Sequence, residues 1–118
     1  MANSICVLIR KAPYGMEDAF AGLRLGLATI ASGIETKIVL LEDGVFCGMK
    51  RQITENIGMP CLMNTLDDLV SLDVKIYCVE DDLEPREIEK SKLMDEMKFI
   101  TENELSDLIL SCDAVTSF

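Results

Sequence analysis

The 118-residue chain contains no histidine. That absence removes Cys–His and Ser–His–Asp catalysis and every histidine-ligated metal site. It also removes the usual general base near neutral pH, so any chemistry here must proceed without a strong proton shuttle. Basic residues are scarce as well: 11 Lys and Arg against 21 Asp and Glu leave a net charge of −10. Nucleic-acid binding depends on neutralising phosphates and is therefore not expected; acidity of this kind favours solubility and attraction to basic partners. No uncharged run approaches the roughly 18 residues of a membrane span. Met1-Ala2-Asn3-Ser4 lacks the basic start of a signal peptide, and Ile5 to Ile9 is too short for its apolar region. The expected location is the cytoplasm, with no membrane partner. Cys-x-x-Cys pairs are missing too. The five cysteines, Cys6, Cys47, Cys61, Cys78 and Cys112, are odd in number and irregular in spacing. Neither a disulfide scaffold nor a zinc site is indicated, and no metal or cofactor is expected.

What the chain does have is alternation. At this length it is one domain, 1–118, able to bury a real core. Ser4 to Arg10 is an almost unbroken apolar run, the pattern of a strand covered on both faces. Met16, Ala19, Phe20, Leu23, Leu27, Ile30 and Ala31 recur at helical spacing over 16–32. Gly22 and Gly26 lie on one face of that helix and would permit close approach to the sheet or to another subunit. A second strand is expected at Thr36 to Leu41, and a helix around Lys50 to Asn56 before a loop at Gly58-Met59-Pro60. Thr65 is placed as the N-cap of a short helix through Leu72. Val74 to Val79 reads as the third strand, and Pro85 fits the first turn of another helix. Met97 to Ile100 reads as a fourth strand. Thr101-Glu102-Asn103-Glu104 is a capping box, followed by a helix with Leu105, Leu108 and Ile109 inward. Ala114 to Phe118 is the last strand. Strands alternating with helices predict a three-layer α/β/α sandwich on a mainly parallel sheet of about five strands.

Open α/β sheets bind ligands and do chemistry at the carboxyl ends of their strands. Cys78 ends the third strand, and a thiol there can be a nucleophile or a carrier of transferred groups. A helix starting after it would favour the thiolate; Glu80, Asp81, Asp82 and Glu84 would raise the thiol pKa. The plain alternative is a small core residue. Cys6 and Cys112 read as core or packing positions. Cys47 and Cys61 lie in a loop-rich stretch punctuated by Met49, Met59 and Met63, a composition suited to filling a core or making a contact surface. In Lys11-Ala12-Pro13-Tyr14-Gly15, Lys11 and backbone amides could hold an anion, with Tyr14 and Gly15 beside them; the alternative is an ordinary strand-to-helix turn. Asp43-Gly44 is a turn in the same way. A receiver domain is set aside, because strand one ends in Arg10-Lys11 and strand three in Cys78 rather than in carboxylates. A flavin-binding fold lacks its Ser/Thr-rich phosphate loop.

Taken in order, Lys11-Ala12-Pro13-Tyr14-Gly15, Asp43-Gly44-Val45-Phe46, the strand ending at Cys78 and the tail Val115-Thr116-Ser117-Phe118 resemble the DsrE/DsrF-like family. That family includes sulfur-relay subunits of the TusC and TusD type, and the first two motifs most resemble the DsrF/TusC branch. The resemblance covers nearly the whole chain. It implies an α/β/α fold and an oligomer, here a homo-oligomer (trimer or hexamer) or an assembly with related DsrE-type subunits. It also implies that Cys78 carries sulfane sulfur as a persulfide, a sulfurtransferase activity served by a small sulfur-carrier protein. The family often follows this cysteine with small residues and a basic Arg-Gly segment, where this chain has Glu80-Asp81-Asp82. Subunits of the DsrF/TusC branch are often architectural, which gives the alternative reading of a non-catalytic oligomer subunit.

Overall fold

The computed structural model describes residues 3–12, 18–49 and 62–118. Five strands, β1 (Ser4–Ile9), β2 (Glu35–Leu40), β3 (Lys75–Val79), β4 (Lys98–Ile100) and β5 (Ala114–Ser117), form one sheet in the order β4-β3-β2-β1-β5. Every neighbouring pair is parallel. Among the described residues three α-helices accompany them: α1 (Asp18–Ala31), α2 (Leu62–Ser71) and α3 (Glu102–Ser111). From β1 to β4 the chain steps outward in one direction, and it then reverses to lay β5 beside β1. Parallel crossovers are right-handed, so the reversal sends α3 to the opposite face from α1 and α2. The result is the expected three-layer sandwich.

Two apolar clusters record this division. Val7, Ile9, Ile38, Leu40, Ile76 and Cys78 point to one face, where Leu23 of α1 and Leu66 and Leu69 of α2 cover them. Cys6, Val39, Val79 and Ile100 point to the other, under Leu105, Leu108 and Cys112. Side chains alternate along each strand, and because both faces are covered the strands read as continuous apolar runs. Gly22 is what lets α1 lie against β1: a Cβ there would meet Ile9 Cδ1, with the Phe118 ring 3.0 Å away. Of the two partners offered for the glycine face, the sheet is thus the one it meets. Between the layers, the buried hydroxyls of Thr29 and Thr36 share a 2.6 Å hydrogen bond. Among the described residues no buried side-chain N or O lacks a partner, as a well-formed core requires.

The capping box forms as expected. Glu104 N donates to Thr101 Oγ1 at 3.2 Å, and Thr101 N donates to Glu104 Oε1 at 3.1 Å. Two expectations are corrected. Helix α2 begins at Leu62, so Thr65 lies inside it and does not cap it. Pro85 opens no α-helix: three short 3-10 turns, Glu80–Asp82, Glu84–Arg86 and Lys90–Lys92, connect β3 to β4. Glu87 ends the second turn in the left-handed region at φ 55°, and the acidic side chains are bonded outside their own turns, as described below. The helix expected around Lys50 to Asn56 and the loop at Gly58-Met59-Pro60 lie outside the described residues.

Gly44 sits in a 3-10 turn after β2, Glu42–Gly48. A Cβ at Gly44 would collide with the backbone carbonyl of Ile9, which cannot swing aside, whereas Gly22 faces the far end of a side chain. Gly44→Ala is therefore expected to lower the unfolding free energy by about 3 kcal/mol. Gly22→Ala should cost about 1 kcal/mol or less, because better helix propensity offsets the crowding. Urea denaturation of both variants checks the order; equal losses would contradict it.

Candidate functional site at the carboxyl edge of the sheet

Strands β1, β2 and β3 all deliver their carboxyl ends to one edge. There β1 runs into Arg10 and Lys11, β2 into the turn Glu42–Gly48, and β3 into the turn Glu80–Asp82. Cys78 is the next-to-last residue of β3, in register with Leu40 on β2 and Phe99 on β4. Its side chain turns toward α1 and α2, into the larger cluster, and is 0% exposed. Burial pushes the thiol up to about 12, assisted by the negative charge of Asp82 and Glu80 and opposed by Lys90. The effect of the acidic turn thus has the expected sign, but desolvation outranks it. The helix end expected to favour a thiolate is absent, since three-residue 3-10 turns carry little aligned dipole.

The acidic turn has a structural use that its composition did not reveal. Asp82 Oδ2 accepts a 2.7 Å hydrogen bond from Glu42 N, tying the turn after β3 to the turn after β2. Asp81 Oδ2 accepts from Glu102 N at 3.4 Å, at the start of α3. Glu80 pairs with Lys90 at 2.9 Å, and Lys90 also lies 4.8 Å from the centre of the Phe99 ring. Each of the three carboxylates after Cys78 is therefore directed at a different element. Glu42, left-handed at φ 52°, pairs with Arg10 at 2.7 Å. Arg86 bridges the two turns, donating to Asp43 Oδ1 and to Asp82 O, each at 3.1 Å. Exposed ion pairs each contribute little; charge-assisted bonds to backbone N–H groups are stronger and fix geometry.

The other expected site residues are only partly brought together. Asp43 is exposed and held by Arg86. Lys11 is exposed, and its carbonyl accepts from Cys47 Sγ at 3.6 Å. Tyr14, Gly15 and Cys61 lie outside the described residues. Cys47 shares the cluster containing Cys78, and burial pushes its thiol up to about 12. Cys6, read as a core position, is buried as expected; Cys78 is buried as well, and Cys112, read as packing, is partly exposed. Sequence reasoning missed Arg86, Asp82 and Lys90 as fasteners. Their one signal was a mixed-charge stretch directly after a strand end.

The family model of the DsrE/DsrF-like family matches residues 3–118, and the chain belongs to that family. It is 32% identical over 126 residues to the intracellular sulfur oxidation protein DsrF of Allochromatium vinosum, covering 94% of this chain and 93% of that one. It is 30% identical over 112 residues to an uncharacterized protein of Methanocaldococcus jannaschii, MJ0989, covering 95% and 96%. Its structure resembles the crystal structure of the ychN protein from E. coli with a TM-score of 0.87 at 27% identity, covering 98% and 99%. No helix among the described residues is long and apolar enough to cross a membrane.

A raised thiol pKa links stability to alkaline pH. Cys78 stays protonated in the folded protein up to about 12, against 9.0 for the same thiol freed from its surroundings. Between these values the unfolded chain binds fewer protons, so stability is intact below pH 9.0 and falls as pH rises toward 12. Each such thiol contributes a slope of about 1.4 kcal/mol per pH unit. Cys78→Ala should be less stable at pH 7, because it leaves a cavity. Its stability should nevertheless decline less steeply above pH 9 than that of the wild type, in urea titrations at stepped pH. Parallel slopes would mean that Cys78 is already ionised or exposed in the native state.

Proposed function

We propose that this protein is a subunit of a sulfur-relay assembly and that Cys78 is its sulfur-carrying position, closed in this conformation. One observation carries the reading. Cys78 is, among the described residues, the cysteine placed on a strand at the carboxyl edge, where the three strand-end turns meet. Family membership and the similarity to a sulfur oxidation protein support the same class of chemistry. The Cys78 thiolate would attack the outer sulfur of a donor persulfide, R–S–SH. A new S–S bond forms, the donor's S–S bond breaks, and R–S⁻ leaves with that bond's electron pair. The product is Cys78–S–SH. An acceptor thiolate then takes the outer sulfur by the same exchange and restores the Cys78 thiolate. Neither step changes the net oxidation state, and neither needs a histidine.

Closure sets the condition for activity. With burial pushing its thiol up to about 12, Cys78 is almost entirely protonated at neutral pH in the closed form. Transfer therefore requires the turn after β3 to lift, releasing Asp82 from Glu42 N and admitting water. The fastenings are polar and surface-level, so local opening costs less than global unfolding. Docking of a donor or of another subunit would supply the bias. Exposed Leu110 on α3 and Val115 on the edge strand β5, 82% and 42% exposed, support assembly into an oligomer of this chain or with related subunits.

A second reading is favoured by the full burial of Cys78: an architectural subunit whose thiol only fills the core. Intact mass after incubation with a small persulfide donor separates the two. The carrier reading expects a gain of one sulfur atom that maps to Cys78, is removed by a reducing thiol and is lost in Cys78→Ala. A gain elsewhere, or none under conditions in which a partner subunit is persulfidated, supports the architectural reading.

A further inference from the structure

On the face of the sheet away from Cys78, two other cysteines meet. Cys6 lies in the middle of β1, opposite Val115 of β5, and is 0% exposed. Cys112 is the C-cap of α3, with extended backbone at φ −97° and ψ 147°, and is partly exposed. Both belong to the smaller apolar cluster, and Cys112 is near enough to raise the Cys6 thiol. Two bonds beside them hold the same pieces of chain together. Asp113 N donates to Ser4 Oγ at 3.0 Å, and Asn3 N donates to Asp113 Oδ2 at 2.8 Å. The start of β1 and the end of α3 are thus pinned side by side around the thiol pair.

We infer that Cys6 and Cys112 form a reversible disulfide that latches the α3–β5 end of the chain to β1. The pair combines one sulfur that solvent can reach with a second, buried one that can resolve the adduct. The oxidant is a low-molecular-weight disulfide, R–S–S–R. Cys112, the accessible member, attacks it as thiolate, forming Cys112–S–S–R and releasing R–S⁻. Cys6 attacks Cys112 Sγ, forming Cys6–S–S–Cys112 and releasing the second R–S⁻, which takes up the Cys6 proton as it leaves. Two protein thiols are oxidised by two electrons, one external disulfide is reduced, and both protons end on the departing thiols. The bond needs Cα atoms about 4.4–6.8 Å apart. Cys112, already outside the helical hydrogen-bond ladder except for its N–H to Ile109 O at 3.2 Å, is the member free to adjust.

The second step is the slow one. The Cys6 thiol is raised to about 12, first by burial and then by the neighbouring Cys112, with Lys37 of β2 opposing them. The thiolate fraction of Cys6, and with it the rate of closure from the mixed disulfide, should rise about tenfold per pH unit between pH 7 and 9. The closed bond would span most of the chain, and long loops gain the most from cross-linking. Oxidation should therefore raise Tm by on the order of 10 °C.

The test uses the whole protein treated with oxidised glutathione, followed by non-reducing peptide mapping and thermal melts. The expected result is a Cys6–Cys112 linked peptide, a raised Tm that dithiothreitol reverses, and closure that accelerates with pH. Cys112→Ser, at a solvent-facing cap that tolerates a hydroxyl, should fold and melt like the reduced wild type with no gain on oxidation. Cys6→Ala should stop at the Cys112–glutathione adduct. A wild-type protein that also stops at that adduct, or links other cysteines instead, overturns the inference.

Discussion

The carboxyl edge of this sheet depends on where the carboxylates after Cys78 find partners. Three consecutive acids follow a strand end, and left to solvent they would repel one another and splay the turn. Instead Asp82 takes the Glu42 backbone N–H, Asp81 takes the Glu102 N–H, and Glu80 takes Lys90. These partners belong to the turn after β2, the start of α3 and the β3–β4 connection. One short acidic segment thereby ties the β3–β4 connection to the turn after β2 and to the start of α3, and folds that connection back on itself through Lys90. The missing α-helix between β3 and β4 follows from the same pattern: side chains engaged sideways, a proline and a left-handed Glu87 leave only short 3-10 turns.

This arrangement also sets the chemistry. Bringing negative groups close to a thiol and removing water from it act in the same direction, so Cys78 rests neutral. A neutral, sealed thiol is protected from adventitious oxidation and alkylation, because both follow thiolate character and exposure. Apolar packing under α1 and α2 covers the thiol, while the acidic turn beside it is held by polar contacts at the surface, some exchangeable for water at small cost. Under the proposed carrier role, Cys78 would be inert at rest and become reactive only when its turn is displaced, with docking conferring the reactivity.

The fold was legible because its main signals were redundant. Continuous apolar runs marked Ser4–Ile9 and Lys75–Val79, heptad-like spacing marked α1, and the Thr101–Glu104 capping box fixed the start of α3. The place of Cys78 on its strand was legible for the same reason. Its exposure was not, because which face a strand residue takes depends on strand order and on the helices covering it. The reversal that puts β5 beside β1 is set by packing across the whole sheet. Thr65 misled because a threonine inside a helix and a threonine capping one look alike without the preceding turn. The partners of Asp81 and Asp82 are 21 and 40 residues away in the chain, beyond any local pattern. Cys6 and Cys112 each read as packing positions, and only the third dimension made them a pair.

The central proposal is that the buried Cys78 becomes reactive when the turn after β3 opens. The direct measurement is the rate at which a small thiol reagent modifies Cys78 in the native protein, compared with Asp82→Ala and Asp81→Ala. Removing Asp82 releases the bond to Glu42 and a charge acting on the thiol, so modification should accelerate by about tenfold or more. Removing Asp81, whose bond runs to α3, should change the rate little. Equal rates in all three proteins, or reaction of Cys78 only upon global unfolding, would contradict the account.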